Sequence, residues 1–146
     1  MRLLLQALGA NAKRERTLEG ALERWYPKWV SPGTAMVTFS LFGHLGLLNP
    51  GSAPMRVIET HAGDAKAAGG LLPTPAVGSY TVTDFSPEML EVAKAGVGDH
   101  ATVVTADATA LPFPDASFDR YLSNLGMCCT HDLTAKVRTD SALFQC

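Results

Sequence analysis

Apolar positions follow a helical period at the start of the chain and a strand-and-helix alternation further on. In residues 17–29, Leu18, Leu22, Trp25 and Trp29 recur at intervals of three and four, which places them on one helix face that Pro27 breaks or kinks. A second helix is predicted over residues 34–45, after the turn-like Ser31-Pro32-Gly33 and ending near Gly46. Turn formers crowd Asn49-Pro50-Gly51-Ser52-Ala53-Pro54, and the β-prone run Arg56-Val57-Ile58-Glu59-Thr60 behind them is the first strand candidate. Small residues then fill 62–70, predicting a glycine-containing turn and a short helix stopped by Gly69, Gly70 and Pro73.

Tyr80-Thr81-Val82-Thr83 is the second strand candidate. Ser86-Pro87-Glu88 after it reads as a helix start: serine caps free amides, proline suits the first helical position, and an early glutamate complements the dipole. Met89, Leu90, Ala93 and Val97 supply that helix's apolar stripe. Residues 102–105 form the third strand candidate and 118–123 the fourth, with the proline-rich turn Leu111-Pro112-Phe113-Pro114-Asp115 between them. Strands alternating with helices at this spacing predict parallel strands in an open α/β sheet. The helices before the first strand read as a covering layer, with a lid over a substrate pocket as the alternative.

Composition narrows the class without changing this picture. The 146 residues suit one domain, and 47% hydrophobic against 18% charged residues is a globular balance. A formal charge of −2 and the lack of a basic block argue against nucleic acid as a partner. No run approaches the roughly 18 apolar residues of a membrane span. Three cysteines, with Cys128 and Cys129 adjacent and Cys146 last, form no disulfide framework and predict a reducing, cytoplasmic setting. Cys128 and Cys129 beside His131 lack the spacing of four metal ligands, so they read as small apolar groups, and no metal is expected. Leu4, Leu5 and Leu8 with Arg2, Lys13, Arg14 and Arg16 carry a faint export or organellar-import pattern, which a surface helix explains equally well.

In an open parallel sheet, ligands bind beyond the carboxyl ends of the strands. Glu59 closes the first predicted strand, Asp84 the second and Asp107 the third, so three carboxylates would face one crevice and hold a ligand rich in hydroxyls and amines. Each also has a plainer reading as a helix cap or solvated turn. Asp84 lies about twenty residues past the glycine turn, where a carboxylate accepts both hydroxyls of an adenosine ribose. Phe85 either packs on an adenine ring or joins the core. Asp107 can accept from an exocyclic amine while the Ala108 amide donates to the ring, and Gly63 lets a ligand approach the backbone.

These residues carry a family resemblance. The stretch from Val104 to Asp119 resembles the "GDAxxLPFPDxSFD" segment of the class I methyltransferases of the type 11 group, and Asp84-Phe85-Ser86-Pro87-Glu88-Met89-Leu90 is similar to its "DxSPEML" segment. The resemblance covers residues 56–132, a little over half the chain. It implies S-adenosyl-L-methionine as cofactor, with Glu59 and Gly63 around the methionine part, Asp84 at the ribose, and Asp107 and Ala108 at the adenine. It also implies a Rossmann-like open parallel sheet of the class I methyltransferase type, incomplete after the fourth strand, with N-terminal covering helices. Residues 1–50 would then be a helical cap, 51–132 the cofactor-binding core and 133–146 a tail whose Leu133, Val137 and Phe144 form a weak helical stripe.

Two departures from the family pattern stand out. The family's glycine loop reads like "E-x-G-x-G-x-G", whereas His61 and Ala65 take the places of the first and third glycines here and only Gly63 is kept. About two dozen residues follow the fourth strand, too few for the usual fifth strand and antiparallel pair, so a truncated product, a splice form or a gene-model fragment is expected. The primary expectation is a methyltransferase acting on a small-molecule acceptor. The alternative is a non-catalytic fragment with weak or no cofactor binding, and a third reading, a nicotinamide-dependent oxidoreductase, leaves the Asp107 segment unexplained. A methyl-transfer base is needed only where the acceptor loses a proton; His61, His131 and Asp132 are unranked candidates, and no residue is assigned as catalytic.

Overall fold

A computed structural model of the chain describes residues 31–124, 126 and 130–143. The predicted helix over 17–29, the N-terminal leucine and basic pattern, the three cysteines and Phe144 lie outside the described residues. Helix α1 (Ser31–His44) leads into strand β1 (Met55–Thr60), helix α2 (Lys66–Leu71), strand β2 (Val77–Asp84) and helix α3 (Pro87–Val97). A short 3-10 turn (Gly98–His100), strand β3 (Thr102–Thr105), strand β4 (Arg120–Leu122) and helix α4 (Leu133–Ala142) complete the order. All strand pairs are parallel and the spatial order is β3-β2-β1-β4. The chain thus winds outward from β1 through β2 to β3 and then returns to β1's other side as β4, which makes the β1/β4 boundary the topological switch point.

Strand pleating sorts the core into two faces. Val57, Tyr80, Val82 and Leu122 share one face and pack with Phe42 and Leu47 from the α1 region, Ala68 of α2, and Leu90, Ala93 and Val97 of α3. Phe42 leans on Tyr80 with ring centroids 5.8 Å apart. On the other face Ile58 meets Leu111, Phe118 and Leu143, and Phe113 sits edge-on to Phe118 at 5.2 Å. The proline-rich segment, the most family-like piece of sequence, therefore works as packing under the sheet. Asp119 at its end accepts from Arg56 through the backbone amide at 2.7 Å and the guanidinium at 2.8 Å, which holds its carboxyl down at about 2.

Several boundaries differ from expectation. Ser31-Pro32-Gly33 is the first turn of α1 rather than a turn before it, since proline is tolerated where helical amides lack partners. Gly46, at φ 74°, closes that helix, with Leu47 N–H reaching back to Phe42 O at 2.9 Å. Gly69 and Gly70 lie inside α2 instead of stopping it. The reason is tertiary: a Cβ at Gly69 would stand 2.6 Å from the Gly96 carbonyl oxygen, so glycine lets α2 and α3 touch backbone to backbone. β2 is longer than its predicted core and β4 shorter. In α3, Ser86 caps Met89 N–H at 3.3 Å as expected, with Leu90, Ala93 and Val97 buried and Met89 half-buried.

The tail forms a helix, but turned away from the predicted stripe. Leu133 and Val137 are exposed, while Lys136 is buried at 2% exposure. Its ammonium donates to Thr60 Oγ1 at 3.3 Å, to the Tyr121 hydroxyl, and to Asp140 Oδ2 at 3.0 Å. Polar partners on β1 and β4 thus decide which side of α4 faces the sheet. Among the described residues no helix is long and apolar enough to cross a membrane.

Candidate functional site at the strand tips

The carboxyl ends of β1, β2 and β3 lie along one edge because the strands are parallel and in register, with Thr60 beside Thr83 and Asp84 beside Thr105. Beyond β1 the chain turns sharply. His61, Gly63 and Ala65 all have left-handed φ, at 54°, 58° and 45°. Glycine adopts this region freely, whereas a side chain there costs roughly 1–2 kcal/mol per residue. The loop therefore keeps the backbone course of a glycine-rich turn although two of its three left-handed positions bear side chains.

Asp84 ties this turn to β2. One carboxylate oxygen accepts the Gly63 amide at 2.9 Å and the other accepts the Ser86 amide at 3.0 Å, with the residue only 8% exposed. Each oxygen retains a further lone pair for a ligand hydroxyl. Phe85 next to it is 48% exposed, so of its two readings the core one is excluded. Asp107 is exposed and folds back on its own turn, accepting from Thr109 N–H at 2.8 Å and Thr109 Oγ1 at 2.7 Å. The Thr109 amide holds the Asp107 carboxyl below its ordinary range; burial opposes it, and the Thr109 hydroxyl and the charges of His131 and His61 add to it. Ala108 is buried beside it.

Glu59 stands near the end of β1, on the sheet face it shares with Val57 and Tyr80. Buried at 4% exposure, it accepts from the Tyr80 hydroxyl at 2.8 Å. Burial pushes its carboxyl up to about 7, the Asp64 charge adds to this and the tyrosine hydrogen bond opposes it. Glu59 lines a small open hollow with Thr34, Thr38, His61, Asp64, Lys66 and Asn124. Asn124, just past β4, holds α1 over this hollow by donating to Thr34 O at 2.7 Å and Thr38 Oγ1 at 3.0 Å. Sequence reasoning missed Thr34, Thr38, Asp64, Lys66 and Asn124; Lys66 and Asn124 could be sought at element ends, whereas Thr38 in the middle of α1 gives no local signal.

Glu59, Gly63 and Asp84 are therefore joined at one edge, Phe85 follows directly, and Asp107 with Ala108 occupies the neighbouring tip. His61 lines the hollow and opens the turn that leads to Gly63; burial and the Lys136 charge push its ring below the ordinary imidazole range, against the charges of Asp84, Asp140 and Asp107. His131 and Asp132 are exposed, and Asp132 caps α4 through the Ala135 amide at 2.9 Å.

An open parallel α/β sheet with a left-handed turn at the tip of β1 is a Rossmann-like architecture. Residues 62–139, more than half of the chain, match the methyltransferase domain family of type 11, and the chain belongs to that family. No curated protein matches it significantly. Solved structures do: a candidate S-adenosyl-L-methionine-dependent methyltransferase from Methanococcus maripaludis is 17% identical with a TM-score of 0.68, covering 86% of this chain and 57% of its own. The YcgJ protein from Bacillus subtilis is 27% identical with a TM-score of 0.62, covering 74% and 47%. An S-adenosylmethionine-dependent methyltransferase from Mesorhizobium loti is 23% identical with a TM-score of 0.59, covering 71% and 48%. The chain spans about half the length of these structures.

Proposed function

We propose that this chain binds S-adenosyl-L-methionine along the tips of β1, β2 and β3 and serves the transfer of its methyl group to a small-molecule acceptor. The hydrogen bond from the Gly63 amide to buried Asp84 carries the reading, because it fixes a two-oxygen acceptor beside a left-handed turn where a ribose diol can dock. The residues fit the group. Asp84 has lone pairs left for two hydroxyls, and exposed Phe85 offers an apolar face for a purine. Asp107 and the Ala108 amide offer an acceptor and a donor for its edge. Glu59, Asp64, Lys66 and Asn124 around the hollow suit an ammonium and a carboxylate.

The cofactor supplies an electrophilic methyl on sulfur, so the protein's own work is placement rather than covalent chemistry. In this reading the chain divides into a cap at 1–50, a cofactor-binding core at 51–132 and a tail at 133–146; α1 of the cap closes the hollow through Thr34 and Thr38, and α4 of the tail braces the sheet from behind. The small-molecule acceptor would enter beside α1. The cysteine usage supports a cytoplasmic setting, with organellar import as the alternative.

Calorimetry of the full chain with S-adenosylhomocysteine, repeated on Asp84→Ala, tests the proposal. Binding that falls at least about 100-fold in the variant is expected, the scale of two hydrogen bonds to a charged acceptor. Equal binding by both proteins would sink it. The alternative, a non-catalytic domain, draws support from the side chains on His61 and Ala65 in the left-handed loop; binding without turnover on a panel of small acceptors would favour it.

A further inference from the structure

We propose that His61 is a selectivity gate, its ring dividing the switch-point crevice into a nucleoside ledge and an amino-acid hollow, so that ligands filling the ledge alone bind without hindrance while those running through both must displace it. The inference deepens the adenosyl reading above and rests on it. The ledge is Asp84, Phe85, Asp107 and Ala108. The hollow is Glu59, Asp64, Lys66 and Asn124, a mixture of carboxylates, an ammonium and an amide that suits a zwitterionic chain end. His61 borders both, since it lines the hollow and stands two residues before Gly63, whose amide bonds Asp84 at 2.9 Å.

The ring is pinned across the crevice to the β4 side. Its Nε2 pairs with Thr130 Oγ1 at 3.2 Å, and Gly126 lies so close that a Cβ there would meet His61 Nδ1 and Ser123 Oγ each at 2.5 Å. The β1 tip is thereby bridged to the segment beyond β4, across the boundary where open α/β sheets take their ligands. The pin is weak. Nδ1 is buried with no partner among the described residues, and Ser123 Oγ and Asn124 Oδ1 are buried and unpartnered in the same way. An unmade hydrogen bond at a buried atom is costly, so a ligand that gives these atoms partners can turn the ring aside. The structure thus holds a closed arrangement that only the longer ligand has to open.

Calorimetry with adenosine and with S-adenosylhomocysteine on the full chain and on His61→Gly separates the two compartments. Glycine tolerates the left-handed backbone at this position, and the variant should tighten S-adenosylhomocysteine by about tenfold while leaving adenosine within about twofold. Thr130→Val, which keeps the imidazole and removes its anchor, should move the same ratio in the same direction by about threefold, and it decides the matter if the glycine variant does not fold. Parallel changes for the two ligands, or weaker S-adenosylhomocysteine binding without the ring, overturn the gate and leave the adenosyl reading standing. If neither ligand binds any of the proteins, the adenosyl reading fails and the gate with it.

Discussion

At the tips of β2 and β3 the chain presents a buried carboxylate satisfied by two backbone amides, an exposed aromatic ring and a tightly turned aspartate. At the tip of β1 it presents left-handed side-chain residues, a carboxyl shifted by burial and, in His61 Nδ1, a buried polar atom without a partner among the described residues. The first region is locally relaxed and the second carries strain. Strain of this kind persists only where surrounding contacts hold it, and it collects where ligands act. The contrast assigns recognition to the relaxed end and control to the strained one.

Removing the centre of the relaxed end should do the most damage. Asp84→Ala leaves the Gly63 and Ser86 amides without their acceptor, and a stability loss of about 2–4 kcal/mol is expected in urea titration. A loss under about 0.5 kcal/mol would show that the two ends are not tied through this carboxylate.

Next comes Glu59, whose carboxyl titrates at about 7 against an ordinary value of 4.5. Between those values the folded chain binds more protons than the unfolded one, so stability declines as pH rises through the window and is at its lowest above it. Glu59→Gln keeps an acceptor for Tyr80 and carries no charge; it should gain about 2–3 kcal/mol at pH 8 and little at pH 5. An equal gain at both pH values would contradict the buried-carboxyl account.

Ala65→Gly relieves the left-handed backbone at φ 45° and should stabilise by about 1 kcal/mol, read as a rise in Tm. A fall in Tm would mean that the loop tolerates the side chain without strain. The smallest effect belongs to Asp107→Asn at the exposed rim, where an acceptor for Thr109 remains: a stability change under about 0.5 kcal/mol and an adenosine affinity reduced about threefold. A collapse of the fold in that variant would move Asp107 from the rim to the framework.

Much of the relaxed end was legible because its signals are local. The Ser86 cap, the proline after it and the acidic residue closing β2 are set by chemistry within a few positions, and the structure reproduces them. The strained end was legible only as a substitution pattern. His61 and Ala65 could be seen standing where glycines are usual, but the direction of the imidazole depends on Gly126 and Thr130, more than sixty positions away. Gly69 misled for the same reason: its smallness serves contact with Gly96 on another helix, and no local rule separates that use from a helix stop. Lys136 was overlooked because a lysine inside a helix ordinarily marks its solvent side, and three partners on other positions reverse that here.

That buried ammonium has a mechanical consequence. It grips Thr60, and Thr60 is bonded directly to His61, so one covalent step separates the rear brace from the residue at the mouth of the ligand cleft. A push on α4 from behind, by a neighbouring domain or a docked molecule, would be felt at the front through a short rigid lever of ammonium, hydroxyl and peptide.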